Sequence, residues 1–383
     1  MKVRKNEILY YIGIALLTIR TMFCGYSLLF RFDDFGSNLL LATIYLCFIL
    51  SFFINKFSYK ELIIYVFALA IGLISYLKTE NTVILTLLLV IFSAKNINIR
   101  NVLKIIFYIN LSLVIIHILF YCVYVVSGGK FVKTFNRGSI IRYSFFYVHP
   151  NTFSMYVFWT LCLYFYLFYE RIGYISYFVT VLISCFIYFF PNSRTGALET
   201  LILLILLIFM KKNKRKAKNK KILNATFIYL FLFMFFNIDY YFIQNPIVQK
   251  LDNILSSRIT LGKIIVDKYG ITMFGSDITT NHSQVIINNN YYNNVTTLDC
   301  MYTSLLLYLG IIPTIIYSIL LIKTSKLLSS KENIFLILLL FYGISETVCL
   351  VPTIAFTNLF FTKALGNLWY NNGKKKVNFK SNA

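Results

Sequence analysis

Apolar runs of about 20 residues, the length a helix needs to cross a bilayer, recur from one end of the chain to the other. No other feature narrows the fold as far. In lipid every backbone amide and carbonyl must find its partner within the chain, which leaves helices or a closed barrel. The runs are continuous rather than alternating, and that favours helices. Composition agrees, with 58% hydrophobic and 13% charged residues over 383 positions, against roughly 25% charged in a soluble protein. An ordinary cytosolic enzyme is excluded. Gly (16) and Pro (5) are too scarce for a collagen-like or low-complexity chain. The fold class is all-α integral membrane, a polytopic bundle.

Helices are predicted at about 8–30, 38–55, 62–77, 82–94, 102–127, 146–169, 173–190, 196–210, 222–242, 300–322, 333–350 and 352–369. Pro352 alone splits the last pair, so the bundle has 11–12 transmembrane helices. Residues 1–242 carry helices one to nine, 243–299 form one large loop, 300–370 carry helices ten to twelve, and 371–383 are a basic tail. The first run follows a basic start (Lys2, Arg4, Lys5) but is too long for a signal peptide and lacks a small-residue cleavage site. It reads as a retained helix. The seven cysteines form no Cys-x-x-Cys pair and sit in or beside apolar runs, as small hydrophobes.

A net charge of +23 would suggest nucleic acid in a soluble protein. In a membrane chain it reads first as the retention of Lys and Arg on the cytoplasmic side. With cytoplasmic termini, 24 of the 37 basic residues fall inside, 11 outside, and Arg20 and Lys363 within the membrane. The block Lys211–Lys221, with eight basic residues in eleven, fixes its loop as cytoplasmic. The loop 243–299 is then extracytoplasmic. Within it, 256–270 has helical apolar spacing and stops at Gly270, which predicts an amphipathic helix near the outer membrane surface.

The outside charges break the rule that organises the rest. Six of 27 lysines lie outside, but five of ten arginines do: Arg31, Arg137, Arg142, Arg194 and Arg258. Arginine is the better fork for phosphate or carboxylate. Three segments gather these arginines. Arg137–Ser144 leads into His149-Pro150-Asn151 inside the sixth apolar run, where such residues are costly unless they face a polar cavity or cap a broken helix. Pro191-Asn192-Ser193-Arg194-Thr195-Gly196 opens helix eight, where free amides favour an anion; an Arg194–Glu199 structural pair is the competing reading. Leu251–Arg258 lies in the long loop. Arg20, Lys363 and Glu346 fall within apolar segments, where charges are usually paired, as Arg20–Glu346 or Lys363–Glu346.

The order of these motifs resembles that of the Wzy-type polysaccharide polymerases of capsule, exopolysaccharide and O-antigen synthesis, especially in Gram-positive bacteria. The resemblance rests on His149-Pro150-Asn151, then Asn192-Ser193-Arg194-Thr195-Gly196, then Leu251-x-x-Ile254-Leu255-Ser256-Ser257-Arg258-Ile259 in the large loop. Tyr269–Gly275, Leu298-Asp299-Cys300-Met301-Tyr302, Gly310 and Gly343-Ile344-Ser345-Glu346 complete it. It implies a GT-C-like, metal-independent glycosyltransferase without cofactor, in the plasma membrane. Such an enzyme transfers a growing glycan from undecaprenyl pyrophosphate onto a new lipid-linked repeat unit at the outer face. The implied partners are undecaprenyl-pyrophosphate-linked oligosaccharide, the lipid bilayer and other polysaccharide-assembly membrane proteins, with no nucleic acid.

On that chemistry, fixed cations beside the leaving pyrophosphate stabilise charge that grows in the transition state, and Arg142, Arg194 and Arg258 are the candidates. The acceptor hydroxyl needs a general base, for which His282, His149 and Asp299 are proposed. Asn151, Tyr302 and Glu346 are candidates for glycan contact. The alternatives are an O-antigen-ligase-like transferase and, from a different class, a lipid-linked oligosaccharide flippase; transporters often show internal repeats, and none is evident here.

Overall fold

The computed structural model describes residues 4–128, 134–137, 139–212, 224–238, 245–255, 257–278, 285–287, 290–292 and 299–370. Helix α1 (Lys5–Arg20) runs on into a π turn at Thr21–Tyr26. It is followed by α2 (Asp34–Ile54), α3 (Tyr59–Thr79), α4 (Val83–Ser93) and α5 (Ile99–Val126). A short antiparallel hairpin of β1 (Thr134–Arg137) and β2 (Ile140–Tyr143) precedes α6 (Pro150–Phe168), α7 (Tyr174–Phe189), α8 (Arg194–Lys212) and α9 (Ala225–Ile238). The predicted loop contains α10 (Pro246–Ile254), α11 (Arg258–Tyr269) and a second hairpin of β3 (Val285–Ile287) and β4 (Asn290–Tyr292). The last described elements are α12 (Met301–Ser304) and its π turn Leu305–Leu309, then α13 (Ile311–Leu327), α14 (Ser330–Tyr342) and α15 (Phe361–Tyr370).

The protein is helical and of membrane type. Five helices are long and apolar enough to cross a bilayer, Asn6–Tyr26, Asp34–Ile54, Tyr59–Thr79, Ile99–Val126 and Pro150–Arg171, and Val83–Ser93, Tyr174–Phe189 and Ala225–Asn237 are shorter apolar helices. The helices start where side chains satisfy the free amides of the first turn. Ser58 with Glu61 and Ser329 with Glu332 form reciprocal capping boxes on α3 and α14. Buriedness is uneven. Glu332 to Leu340 of α14 are all buried, whereas α2, α3 and α7 present Phe53, Phe67 and Phe178 outward, as lipid-facing helices do.

Three predicted boundaries are corrected. The sixth helix begins at Pro150, not 146, so His149-Pro150-Asn151 opens a helix instead of interrupting one. Proline is well suited there because it has no amide hydrogen to leave unpaired. The tenth run is cut at Gly310, where φ is +86°, and Gly275 in the loop has φ +90°. A Cβ on Gly275 would run into the Tyr308 carbonyl, and one on Gly310 into the Gly275 amide. The two glycines pass backbone to backbone, and the first amides of α13, Ile311 and Ile312, donate to the Thr272 and Met273 carbonyls at 3.0 Å each.

The eleventh and twelfth runs are not two simple spans. Between Tyr342 and Phe361 the chain makes short 3-10 turns at Thr347–Leu350 and Phe356–Phe360, nearly all of it buried. Irregular backbone at membrane depth is tolerated where protein surrounds it and satisfies it. Asn358 Nδ2 donates to the Cys349 carbonyl (2.7 Å), and Asn110 Nδ2 to the Thr353 carbonyl (3.1 Å). The loop helix α11 turns Ile259 and Ile265 into the protein and sets Gly262 against Thr303, so one side of it packs on the bundle.

Candidate functional site

The segments singled out by sequence meet at one end of the bundle, at the start of α8. Asn192 adopts a left-handed conformation (φ +49°) that turns the chain from α7 into α8. Gly196 lets α8 lie directly on α6, since a Cβ there would stand 2.9 Å from the Ser154 Cβ. Buried Arg142, arriving on β2, ties the two helix starts together: its Nε donates to the Pro191 carbonyl (2.9 Å) and its Nη2 to Asn151 Oδ1 (2.6 Å). His149 is the N-cap of α6, its Nδ1 accepting from the Asn151 amide at 3.2 Å, with its ring edge-on to Phe135.

The loop helices reach the same place through Asp252. This buried carboxylate accepts from the Ile259 amide (2.8 Å) and from the Thr260 amide and hydroxyl, and so caps α11 from α10. Ser257, at φ +61°, makes the turn between them. Arg258, the first residue of α11, then donates from Nη1 to the Leu255 carbonyl (2.7 Å) and from Nη2 to the Ser345 carbonyl (3.1 Å). The single hydrogen of Ser345 Oγ has two acceptors in reach, the Tyr342 carbonyl (3.1 Å) and Glu199 Oε1 on α8 (3.5 Å), and the Met301 amide donates to the Gly343 carbonyl (2.8 Å).

Burial is the largest influence on the Glu346, Asp299 and Glu199 carboxyls; Glu346 also interacts unfavourably with Asp299 and with Glu199, and the Arg258 charge acts favourably on all three. No carboxylate closes an ion pair on it among the described residues. Glu199 Oε2 and Arg258 Nε are buried without a hydrogen-bond partner, the two charged side chains so left among the described residues. A buried polar atom without a partner is costly. Among the described residues no group of three or more His, Cys, Asp or Glu side chains is placed to hold a metal ion.

The remaining candidates fall as follows. Arg194 is exposed as the first residue of α8, and Glu199 points inward, so the two do not pair. Asp299 is exposed beside α12, and Glu346 is half-buried in the turn after α14. His282 lies outside the described residues. Tyr302 is fully buried, its hydroxyl donating to the Leu340 carbonyl (2.6 Å) and its ring stacked on Phe236, which removes it from glycan contact. Lys363 pairs with Glu332 at 2.7 Å, not with Glu346, and Arg20 donates to Ser37, not to Glu346. Sequence reasoning missed Asp252 and Ser345 as organisers and treated Glu199 only as a partner for Arg194. A glutamate one turn into an apolar helix was the available signal.

Comparison with protein-family models, with curated proteins and with solved structures finds no match in any of the three.

Proposed function

We propose that the protein is a membrane polysaccharide polymerase that transfers a growing glycan from undecaprenyl pyrophosphate onto a lipid-linked repeat unit at the outer face of the plasma membrane. The observation that carries this reading is the meeting of half-buried Arg258 and buried Glu199 on either side of Ser345, in which a cation and a carboxylate from distant segments each hold a buried, unused polar atom. Arg258 and exposed Arg194 are the cations for the leaving pyrophosphate, whose charge grows as the anomeric bond breaks. Arg142 supports them by holding the starts of α6 and α8. Asp299 and Glu346, both within the field of Arg258, are carboxylates that can accept the proton of the acceptor hydroxyl. His149, committed to its capping bond, is a positioning residue in this scheme. The GT-C-like arrangement, the 11–12 spans, the cytoplasmic termini and the extracytoplasmic side of 243–299 belong to the same proposal.

The test is incubation of the purified protein with an undecaprenyl-pyrophosphate repeat unit. A ladder of polymer supports the reading; turnover onto a different acceptor without a ladder identifies a ligase. A second reading draws on the buried non-helical segment between α14 and α15, because transporters build sites from broken helices. Transbilayer movement of the lipid-linked unit without turnover would establish a flippase.

A further inference from the structure

Helix α10 carries three faces. Ile247, Leu251 and Ile254 form one stripe and are 71%, 37% and 72% exposed. Val248 and Asp252, 9% and 5% exposed, form a second stripe, turned into the protein. Gln249, Lys250 and Asn253 form an exposed polar third. At 3.6 residues per turn these stripes lie roughly 120° apart. A helix so divided suits a site with protein on one side, hydrocarbon on another and water on the third. Its neighbour α11 has no such stripe: Ile259 and Ile265 are buried, and Leu261, Ile264 and Val266 are half-buried.

We infer that α10 is seated in the surface of the bilayer that the apolar helices cross, with Ile247, Leu251 and Ile254 in the acyl boundary and Lys250 at the headgroups. Seven residues, 239–245, join it to α9, whose Phe231 and Met234 already face outward. At about 3.4 Å per residue, that link keeps α10 within roughly 25 Å of the end of a lipid-facing helix, close enough for its apolar stripe to reach the same bilayer. Lys250 gives the polar face the charge that anionic headgroups attract.

The seating has a consequence for Arg258. Asp252 grips the first turn of α11 from the protein-facing side of α10, and Arg258 donates to the Leu255 carbonyl at the end of α10. The depth at which α10 rests in lipid therefore sets the height of the Arg258 guanidinium above the membrane, whatever group that guanidinium binds.

The test uses the full chain reconstituted in vesicles of phosphatidylcholine and phosphatidylglycerol with brominated acyl chains. Ile247→Trp and Ile254→Trp, each measured against the parent protein, should be quenched by bromolipid at least about twofold more than Asn253→Trp on the polar face. Aqueous acrylamide should show the reverse order. Strong acrylamide quenching at 247 and 254 would overturn the inference, placing the stripe in water. Protection from both quenchers would overturn it equally, showing that the stripe is covered by another part of the chain or a second copy.

Discussion

The two ends of the bundle treat their charges in opposite ways. At one end, Lys95 Nζ lies 2.9 Å from Glu61 with both groups buried, and Lys363 lies 2.7 Å from Glu332. Both glutamates also cap a helix, α3 through Ser58 and α14 through Ser329, so each carboxylate oxygen is engaged. The cations around them finish α6 and its following turn: Arg100 and Lys211 donate to the Leu167 and Ile172 carbonyls, and Lys331 sits 4.9 Å above the Tyr166 and Tyr169 rings. At the other end, Arg142 and Arg258 bond backbone carbonyls, three carboxylates surround Arg258 without pairing with it, and buried charged atoms are left open. Closed charge networks hold a fold together, whereas an open one is tolerated where a ligand completes it.

The largest effects should separate the two ends most sharply. Arg258→Ala and Arg194→Ala should each lower polymer synthesis per folded molecule at least about 100-fold, from two charge-assisted bonds of roughly 1.5–3 kcal/mol each. Loss of exposed Arg194 should leave stability unchanged, while Arg258→Ala also strands the Leu255 and Ser345 carbonyls and should lower it. Long-chain product at the wild-type level from either variant would defeat the assignment. Arg258→Lys should recover only part of the activity, because a point charge cannot replace the fork.

Lys95→Met strands a buried carboxylate and should cost roughly 3–5 kcal/mol of stability. That loss should be read as an early thermal transition in detergent, while the residual folded protein keeps its turnover per molecule. Unchanged melting would show that the closed end is not what holds the bundle.

Arg142 tests the boundary between the two behaviours. Arg142→Ala leaves the Pro191 carbonyl and Asn151 short of a donor and should cost about 1.5–3 kcal/mol, lowering stability and activity together. Activity loss at full stability would instead make Arg142 a direct ligand of substrate. The smallest effect belongs to His149. His149→Ala removes an N-cap, at about 1 kcal/mol, and His149→Asn should restore both stability and product; an Asn variant that folds yet makes no polymer would move His149 into the chemistry.

Much of this architecture could be read along the chain. Period, length and charge alone locate the apolar helices, because in hydrocarbon the backbone has so few options. The arginines at 142, 194 and 258 stood out by breaking the positional bias of the lysines, and they do gather at one end. The breaks were less legible. Pro352 marks an interruption, but not that the whole stretch from Gly343 to Phe360 is irregular, since part of its backbone is satisfied from far away in sequence, by Asn110 on α5. The unpaired state of Arg258 was equally hidden. Spacing can place a cation near an apolar helix, but which of Glu199, Glu332 or Glu346 closes on which base depends on side-chain reach in three dimensions. Sequence by itself determined that the chain is a bundle of apolar helices with its lysines and arginines unevenly divided, because period and transfer energy are local properties. Only the tertiary structure decided that Lys363 belongs to Glu332, that Tyr302 is core, and that Arg258 and Glu199 keep open atoms, because hydrogen-bond partners are chosen by packing across segments far apart in the chain.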